Sequence, residues 1–431
     1  MNIYSKLRRA ISGNTLLNNM LIIASGTAGA QLLTIMCSPV ISRLYSPQAI
    51  GILGSFLALI SILIPLASLS LPMALILPRT EQRVNRLVIL SIYLTLVASL
   101  LSLIVMSLLP INLLGAMQLD NVAWVPLVFS LYLLSTTIFE LFTFWALRKG
   151  YFSINAKVVI IQSILTNGGK ILAGIFIDRL DTLVLITVLS GMISITVYAF
   201  FMRKLIISAC GTVKLNRKIV KGLCFKYDDF IKYRTPQRLI SGVNQSAPII
   251  LLAIFFDSTA AGFFTLCRST LMLPVNLISK SVNDALYPKL AELNRQGKEI
   301  HLLMLKATLW LCLVGLVPLV LMLLLAPWLF HFIFGESWYR AGEYAQWFSI
   351  WLFFNFINRP SVAAIPILNL EKLLLLNSSL NFFLVLAGFY IGHTKGSDIT
   401  AIALFSIFGI LPQLIIIITS HISAIKMQRQ S

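Results

Sequence analysis

The chain has 431 residues, 58% of them hydrophobic and only 11% charged, with a mean hydropathy of +0.90. A soluble domain carries about 25% charged residues, so this composition argues against a soluble enzyme or a nucleic-acid-binding module, whatever the formal net charge of +19 suggests at first. The five cysteines show no CxxC spacing; Cys37, Cys267 and Cys312 sit in apolar runs as small packing residues.

Apolar runs of membrane-spanning length recur along the whole chain, and they predict twelve transmembrane helices. These fall at about 15–42, 48–77, 87–110, 122–147, 154–177, 182–202, 236–256, 259–287, 302–331, 341–369, 371–392 and 398–425. Lys6, Arg8 and Arg9 precede the first run without a short apolar core and cleavage site, so that run is expected to be a retained span. Of the 34 Lys and Arg, four lie within spans and four on the far side of the membrane (Arg43, Arg179, Arg340, Lys395), which leaves 26 on the N-terminal side. Positive charge accumulates on the cytoplasmic side, so both termini are expected there and the span count is even. The chain then divides into an N-terminal lobe of six helices at 1–202, a basic cytoplasmic linker at 203–235 and a C-terminal lobe of six at 236–431. The linker carries nine basic residues against Asp228 and Asp229, and is expected to rest on anionic headgroups.

The two lobes share a signature. Leu44–Gly51 reads "LYSPQAIG" and Phe255–Gly262 reads "FFDSTAAG", 211 positions later. Each opens a long apolar run that ends in proline and a cation, at Pro78-Arg79 and Pro288-Lys289. The distance from Gly51 to Pro78 is 27 residues and from Gly262 to Pro288 is 26. Because six is even, the repeats run in the same direction, related by an axis along the membrane normal.

The residues in this order carry a family resemblance. The run "GTAGAQLL…SPVISRLYSPQAIGILGSF…LPMALILPR", then "VNQSAPIILLAIFFDSTAAGFFTL", then "VNDALYPKLAEL", resembles the polysaccharide-transport branch of the multidrug/oligosaccharidyl-lipid/polysaccharide (MOP) exporter superfamily. Within it the chain is most similar to O-antigen repeat-unit flippases of the Wzx type. The resemblance implies a MATE-like all-helical bundle in the bacterial inner membrane. It also implies a substrate, undecaprenyl-pyrophosphate-linked oligosaccharide, moved from the cytoplasmic to the periplasmic leaflet. Polysaccharide polymerase and chain-length regulator are the protein partners it suggests.

Such a substrate needs cations and amides facing a lumen, and several spans supply them. In the eighth span Arg268, Asn276, Lys280 and Asp284 share one side of the helix, opposite Val275, Ile278 and Val282. Lys280 and Asp284 are also spaced as an i,i+4 ion pair. In the fifth span Gln162, Thr166 and Lys170 recur every fourth residue, beside Asn167. The tenth carries Asn355, Asn358 and Arg359; the fourth carries Glu140, a carboxylate that must either pair with a lumen cation such as Arg359 or titrate. The first and seventh spans are unusually polar, with Asn18, Asn19, Thr27 and Gln31 in one and Arg238, Ser241, Asn244 and Gln245 in the other.

Substrate contact is therefore assigned to Arg268, Lys280, Lys170, Arg359, Asn276, Asn244, Gln245 and Gln31, and ion coupling to Glu140 or Asp284. Enzymatic readings find no support: His301, His331, His393 and His421 are dispersed, and no metal-protease, serine-hydrolase or phosphate-loop motif occurs. No cofactor or metal is expected. A multidrug antiporter of the same superfamily is the nearest alternative, but such exporters favour buried acids, and here cations outnumber them within the spans. A polymerase or ligase would require a large outer loop, and the lipid II flippase branch two more helices.

Overall fold

In hydrocarbon every backbone amide and carbonyl must find its partner within its own segment, and this chain meets the demand with helices. The computed structural model describes residues 15–430 apart from 109–114, 116–117, 120–123, 178–179, 213–215 and 297–298. Lys6, Arg8, Arg9, Asp120, Asp178 and Arg179, and the side chains of Asn18 and Asn19, lie outside the described residues.

The helices are α1 (Thr15–Leu44), α2 (Pro47–Ser68), α3 (Leu71–Ala74), α4 (Glu81–Leu108), α5 (Val125–Arg148), α6 (Phe152–Phe176), α7 (Thr182–Thr212), α8 (Arg217–Lys226), α9 (Thr235–Phe255), α10 (Ser258–Arg295), α11 (Ile300–Phe334), α12 (Tyr339–Ile357), α13 (Arg359–Leu368), α14 (Glu371–Thr394), α15 (Asp398–Phe408) and α16 (Ile410–Gln430). Among the described residues ten helices or helix runs are long and apolar enough to span a bilayer. The number becomes eleven when α12 and α13, bent by 40°, count as one. With α1, whose 30 residues overlie the first expected span, the segments coincide with the twelve read from the sequence.

The apolar side chains point the wrong way for water. Leu313 and Leu324 on α11 are 72% and 73% exposed, and Leu100, Leu101, Ile104 and Val105 form an exposed stripe on α4. That outward greasiness makes lipid the solvent and the protein a multi-pass membrane protein.

Packing divides the chain into two units, one of residues 1–45 and 56–243, the other of 46–55 and 244–431. In the first, α1 packs on α6, where a methyl group on Gly26 would press into Ala156, and α5 packs on α4 and α7. One core within it gathers Leu71, Leu87, Leu141, Trp145, Tyr198, Leu223 and Tyr227. The 203–235 segment is thus mostly helical: α7 runs to Thr212, and α8 tucks Leu223 and Tyr227 inward while keeping Lys218, Lys221 and Lys226 exposed.

In the second unit α11 pairs with α12, α14 with α15, and α10 crosses α12 and α13. Phe264, Phe348, Trp351, Phe389 and Phe405 interlock as its aromatic core. The α12–α13 bend has a local cause: Pro360 lacks the N–H that would reach the Phe356 carbonyl.

The repeated turn makes a specific contact within this second unit. Gly51 lies so close to the first turns of α10 that a methyl group there would overlap the Ser258 carbonyl, and one on Gly262 would overlap the Pro47 carbonyl. Adding 211 to Pro47 and Gly51 gives Ser258 and Gly262, so the contact is its own mirror under the repeat. Gly54 continues it against Thr265.

One expectation fails. The runs after these turns were expected to form helices of equal length, yet α2 stops at Ser68 while α10 continues for 38 residues through Pro274 and Pro288 to Arg295. Leu69 (φ 46°) and Ser70 (φ 52°) adopt left-handed backbone, and α3 restarts with Pro72. A proline two residues into the new helix suits its first turn, whereas Leu69 and Ser70 end the old one.

Because backbone meets backbone at Gly51 and Gly262, Gly51→Val and Gly262→Val are each expected to destabilise by about 1–3 kcal/mol through overpacking. Gly29→Ala, on a helix face with open space around it, should leave the protein unchanged or slightly steadier. Thermal melting in detergent checks this, and wild-type melting of both valine variants would remove the contact.

Candidate functional site

In the first unit, Glu140 of α5 meets Arg238 at the start of α9, Oε1 to Nη2 at 2.8 Å. The side chains are 18% and 28% exposed, and the pair is one-point: Glu140 Oε2 and Arg238 Nη1 are buried without a hydrogen-bond partner. Sequence reasoning expected Glu140 to pair or titrate and offered Arg359 as partner; the ion pair it makes is with Arg238.

Lys170 of α6 is half-buried and forms no ion pair among the described residues. Its backbone carbonyl accepts the Tyr45 hydroxyl at 2.8 Å. The polar stripe leading to it is largely engaged in packing. Thr166 donates to Ser190 at 2.8 Å, Asn167 donates to Thr34 and to the Ser163 carbonyl at 3.1 and 2.9 Å, and Ser163 donates to the Ala30 carbonyl at 2.9 Å. Gln162 borders a small cavity of about 70 Å³ with Ser135 and Thr136, and Gln31 keeps Oε1 buried without a hydrogen-bond partner.

In the second unit, Arg268 of α10 donates through Nη1 to the backbone carbonyl of Gln245 on α9. Pro248 in the same helix has no amide for the Asn244 carbonyl four residues back, one residue before the acceptor that Arg268 uses. Asn244 donates to the Ser378 carbonyl at 3.2 Å and keeps its own oxygen buried and unpartnered. Arg359, at the first position of α13, donates to Asn355, while its Nε is buried without a hydrogen-bond partner. Neither arginine forms an ion pair among the described residues.

Lys280, Asp284 and Asn276 are all exposed, and the i,i+4 pair that Lys280 and Asp284 could make is not formed. The structure brings Arg268 together with Gln245, and sets Asn276, Lys280 and Asp284 on outward-facing turns of α10.

Sequence reasoning missed several polar contacts. Asn358, 2% exposed, donates to Gln413 at 2.6 Å, and Asn377 donates to the Pro412 carbonyl at 3.1 Å; both keep an unpartnered buried oxygen. The signal was available, since Gln413 and Asn377 interrupt the runs "ILPQLIII" and "LLLLNSSL". Arg340 and Tyr344 also converge on Asp398, at 2.5 and 2.6 Å, binding α12 to α15.

These features define a polytopic helical membrane protein whose spans hold cations without acids beside them. Its fold is that of MOP-superfamily transporters. An inward-facing multidrug-resistance MATE family transporter matches with a TM-score of 0.65 and 13% identity over 93% of this chain and 96% of the other. The lipid II flippase MurJ in an inward closed conformation matches at 0.64 and 14%, over 95% and 90%. A MOP superfamily transporter from Pyrococcus furiosus, described as having a binding pocket of reverse polarity, matches at 0.51 and 11%, over 95% and 96%. No curated protein matches the chain in sequence. The chain belongs to the polysaccharide biosynthesis protein family, whose profile matches residues 40–343, and so to the polysaccharide-transport branch of the superfamily.

A buried pair is worth most against its half-removed forms. Glu140→Ala and Arg238→Ala each leave one charge alone, a loss of up to about 3–5 kcal/mol for a fully buried pair and less at this partial exposure. The double variant is expected to melt above the worse single variant. Strictly additive melting shifts would mean the two residues do not interact.

Proposed function

We propose that the protein is a flippase for undecaprenyl-pyrophosphate-linked oligosaccharide, an O-antigen or similar polysaccharide repeat unit. It works in the bacterial inner membrane by alternating access, with both termini in the cytoplasm. One observation carries the reading. Lys170, Arg268 and Arg359 lie within membrane-spanning helices and form no ion pair among the described residues, whereas the acid Glu140 is already held by Arg238. A cation kept in a bilayer without a counter-ion is expensive, and it persists where a mobile anion supplies the missing charge. Membership of a polysaccharide biosynthesis family supports a glycan carried on that anion. The fold shared with the lipid II flippase MurJ supports a lipid-linked form of it.

The same charge balance argues against an exporter of organic cations, because Glu140 is occupied and the unpaired cations outnumber the one acid left over, Asp284. Asn244, Gln245, Asn276 and Gln31 supply amides for the sugars. Lys280, exposed on α10, is a further cation for the headgroup, and Asp284, exposed on the same helix, is a second candidate for ion coupling. Glu140 remains the first candidate for ion coupling, through exchange of its bond to Arg238. A polymerase and a chain-length regulator would take the product on the far side.

Arg268→Ala and Lys170→Ala are each expected to lower surface-glycan assembly at least tenfold at matched expression. Arg268→Lys should recover part of it, since a moving phosphate responds to the field more than to fork geometry. Full activity in both alanine variants would sink the reading.

Orientation is tested separately. Single cysteines in a cysteine-free background at Gly211 or Glu81 should label only from the cytoplasm, and at Asp257, Glu336 or Lys395 only from outside. The reverse pattern would invert the direction of transport.

A further inference from the structure

A second basic feature lies away from the spans, in the first unit, where the chain leaves α3 and enters α4. A cavity of about 490 Å³ opens there, lined by Leu77, Arg79, Arg83, Lys226, Tyr227 and Asp229. Three cations face one carboxylate, because the neighbouring acids are engaged elsewhere: Glu81 by Lys149 at 2.5 Å and Asp228 by Lys232 at 2.7 Å. Arg148 is held on the carbonyls of Ile76 and Pro78, at 3.3 and 2.5 Å, which fixes the strand of chain that carries Arg79.

Tyr227 is the telling residue. It is 5% exposed, and its hydroxyl is buried without a hydrogen-bond partner, although an unmade hydrogen bond at a buried hydroxyl costs about 1–3 kcal/mol. Burial pushes its pKa up, with the Arg83 charge opposing, so the hydroxyl remains a donor at neutral pH. Lys226 lies over the Tyr227 ring at 5.9 Å, and Arg83 occupies the first turn of the 28-residue α4, whose N-terminal amides add to the positive field.

We infer that this cavity binds the phosphate headgroup of an anionic glycerophospholipid, with Arg79, Arg83 and Lys226 supplying charge and Tyr227 donating to a phosphate oxygen. The acyl chains have a surface beside it. Ile76 and Leu77 are 50% and 59% exposed next to the cavity, Phe225 is 81% exposed next to Lys226, and α4 continues away as a lipid-facing apolar helix. A free phosphate would leave that apolar rim uncovered. The site uses none of the residues assigned to transport, and stands or falls without them.

Native mass spectrometry of the full-length protein from mixed detergent micelles tests this with phosphatidylglycerol, phosphatidylcholine, undecaprenyl pyrophosphate and inorganic pyrophosphate as probes. The protein is expected to retain one phosphatidylglycerol at least tenfold more tightly than phosphatidylcholine. Arg79→Gln/Arg83→Gln should lose that preference, Tyr227→Phe should weaken it several-fold, and Lys218→Gln/Lys221→Gln on the same surface should keep it. Thermal melting of each variant without added lipid should match wild type; the conservative Tyr227→Phe carries the test if the double arginine variant does not fold. Equal retention of phosphatidylcholine, or equal loss from the Lys218/Lys221 variant, would overturn the site as mere surface charge. Displacement by inorganic pyrophosphate, or preference for undecaprenyl pyrophosphate, would overturn the choice of lipid.

Discussion

A charge inside a bilayer must have a partner or a use, and the functional reading of this protein depends on sorting its intramembrane charges by that rule. Glu140 has a partner: Arg238 sits 2.8 Å away in the same unit. Lys170, Arg268 and Arg359 form no ion pair among the described residues, and they take substitutes instead. Arg268 holds the Gln245 carbonyl and Arg359 holds Asn355, neutral acceptors that satisfy the hydrogen bond but not the charge. The arrangement is stable enough to fold and still attractive to an anion. Replacing a carbonyl by a phosphate oxygen at Arg268 exchanges a neutral acceptor for a charged one, and charge-assisted hydrogen bonds are the stronger kind.

The glycines set the other constraint. Two helices approach backbone to backbone only where neither presents a side chain, and Gly51 and Gly262 meet that demand at corresponding positions of the repeat. Each glycine faces the carbonyl four residues before the other, at Ser258 and Pro47. The symmetry of the contact gives the recurring "PQAIG" and "STAAG" a physical meaning beyond common ancestry: each is the surface the other requires. The contact involves the start of each repeated helix and does not fix their later courses. They do differ, since α2 breaks at Leu69 and Ser70 while α10 absorbs two prolines and continues to Arg295.

Hydropathy made the spans legible in the sequence, because a lipid-facing helix such as α11 must be apolar nearly all round, and twenty such residues leave no ambiguity. The lone cations were legible for the same reason: Lys170 and Arg268 stand out against their runs. Partner choice was not. Arg238 is 98 residues from Glu140, and Gln413 is 55 from Asn358, distances at which no periodicity operates. Lys280 and Asp284, whose i,i+4 spacing left open an ion pair or lumen-facing charges, show the converse case. Local spacing permits that pair, yet both side chains are exposed and unpaired with each other, as a weak surface pair is free to be. The 203–235 segment read as a basic loop because its charges dominate, while the pattern of Ile219, Leu223 and Tyr227 that folds α8 onto the core is only one face wide.

The two units solve the polar problem differently, and the difference follows from side-chain chemistry. In the first, Thr166 donates to the Ser190 hydroxyl, and Ser163 and Asn167 donate to the Ala30 and Ser163 carbonyls. Hydroxyls suit this because one group both donates and accepts. In the second, Asn244, Asn358 and Asn377 each donate through nitrogen and leave the oxygen buried and unpartnered. An amide has a donor end and an acceptor end at opposite sides of a rigid plane, so tying down one end aims the other. Three oriented acceptors beside two lone arginines give the second unit both signs of hydrogen-bonding capacity. The substrate proposed above needs donors for its pyrophosphate and both kinds of group for its sugars, and the amide-rich second unit offers both.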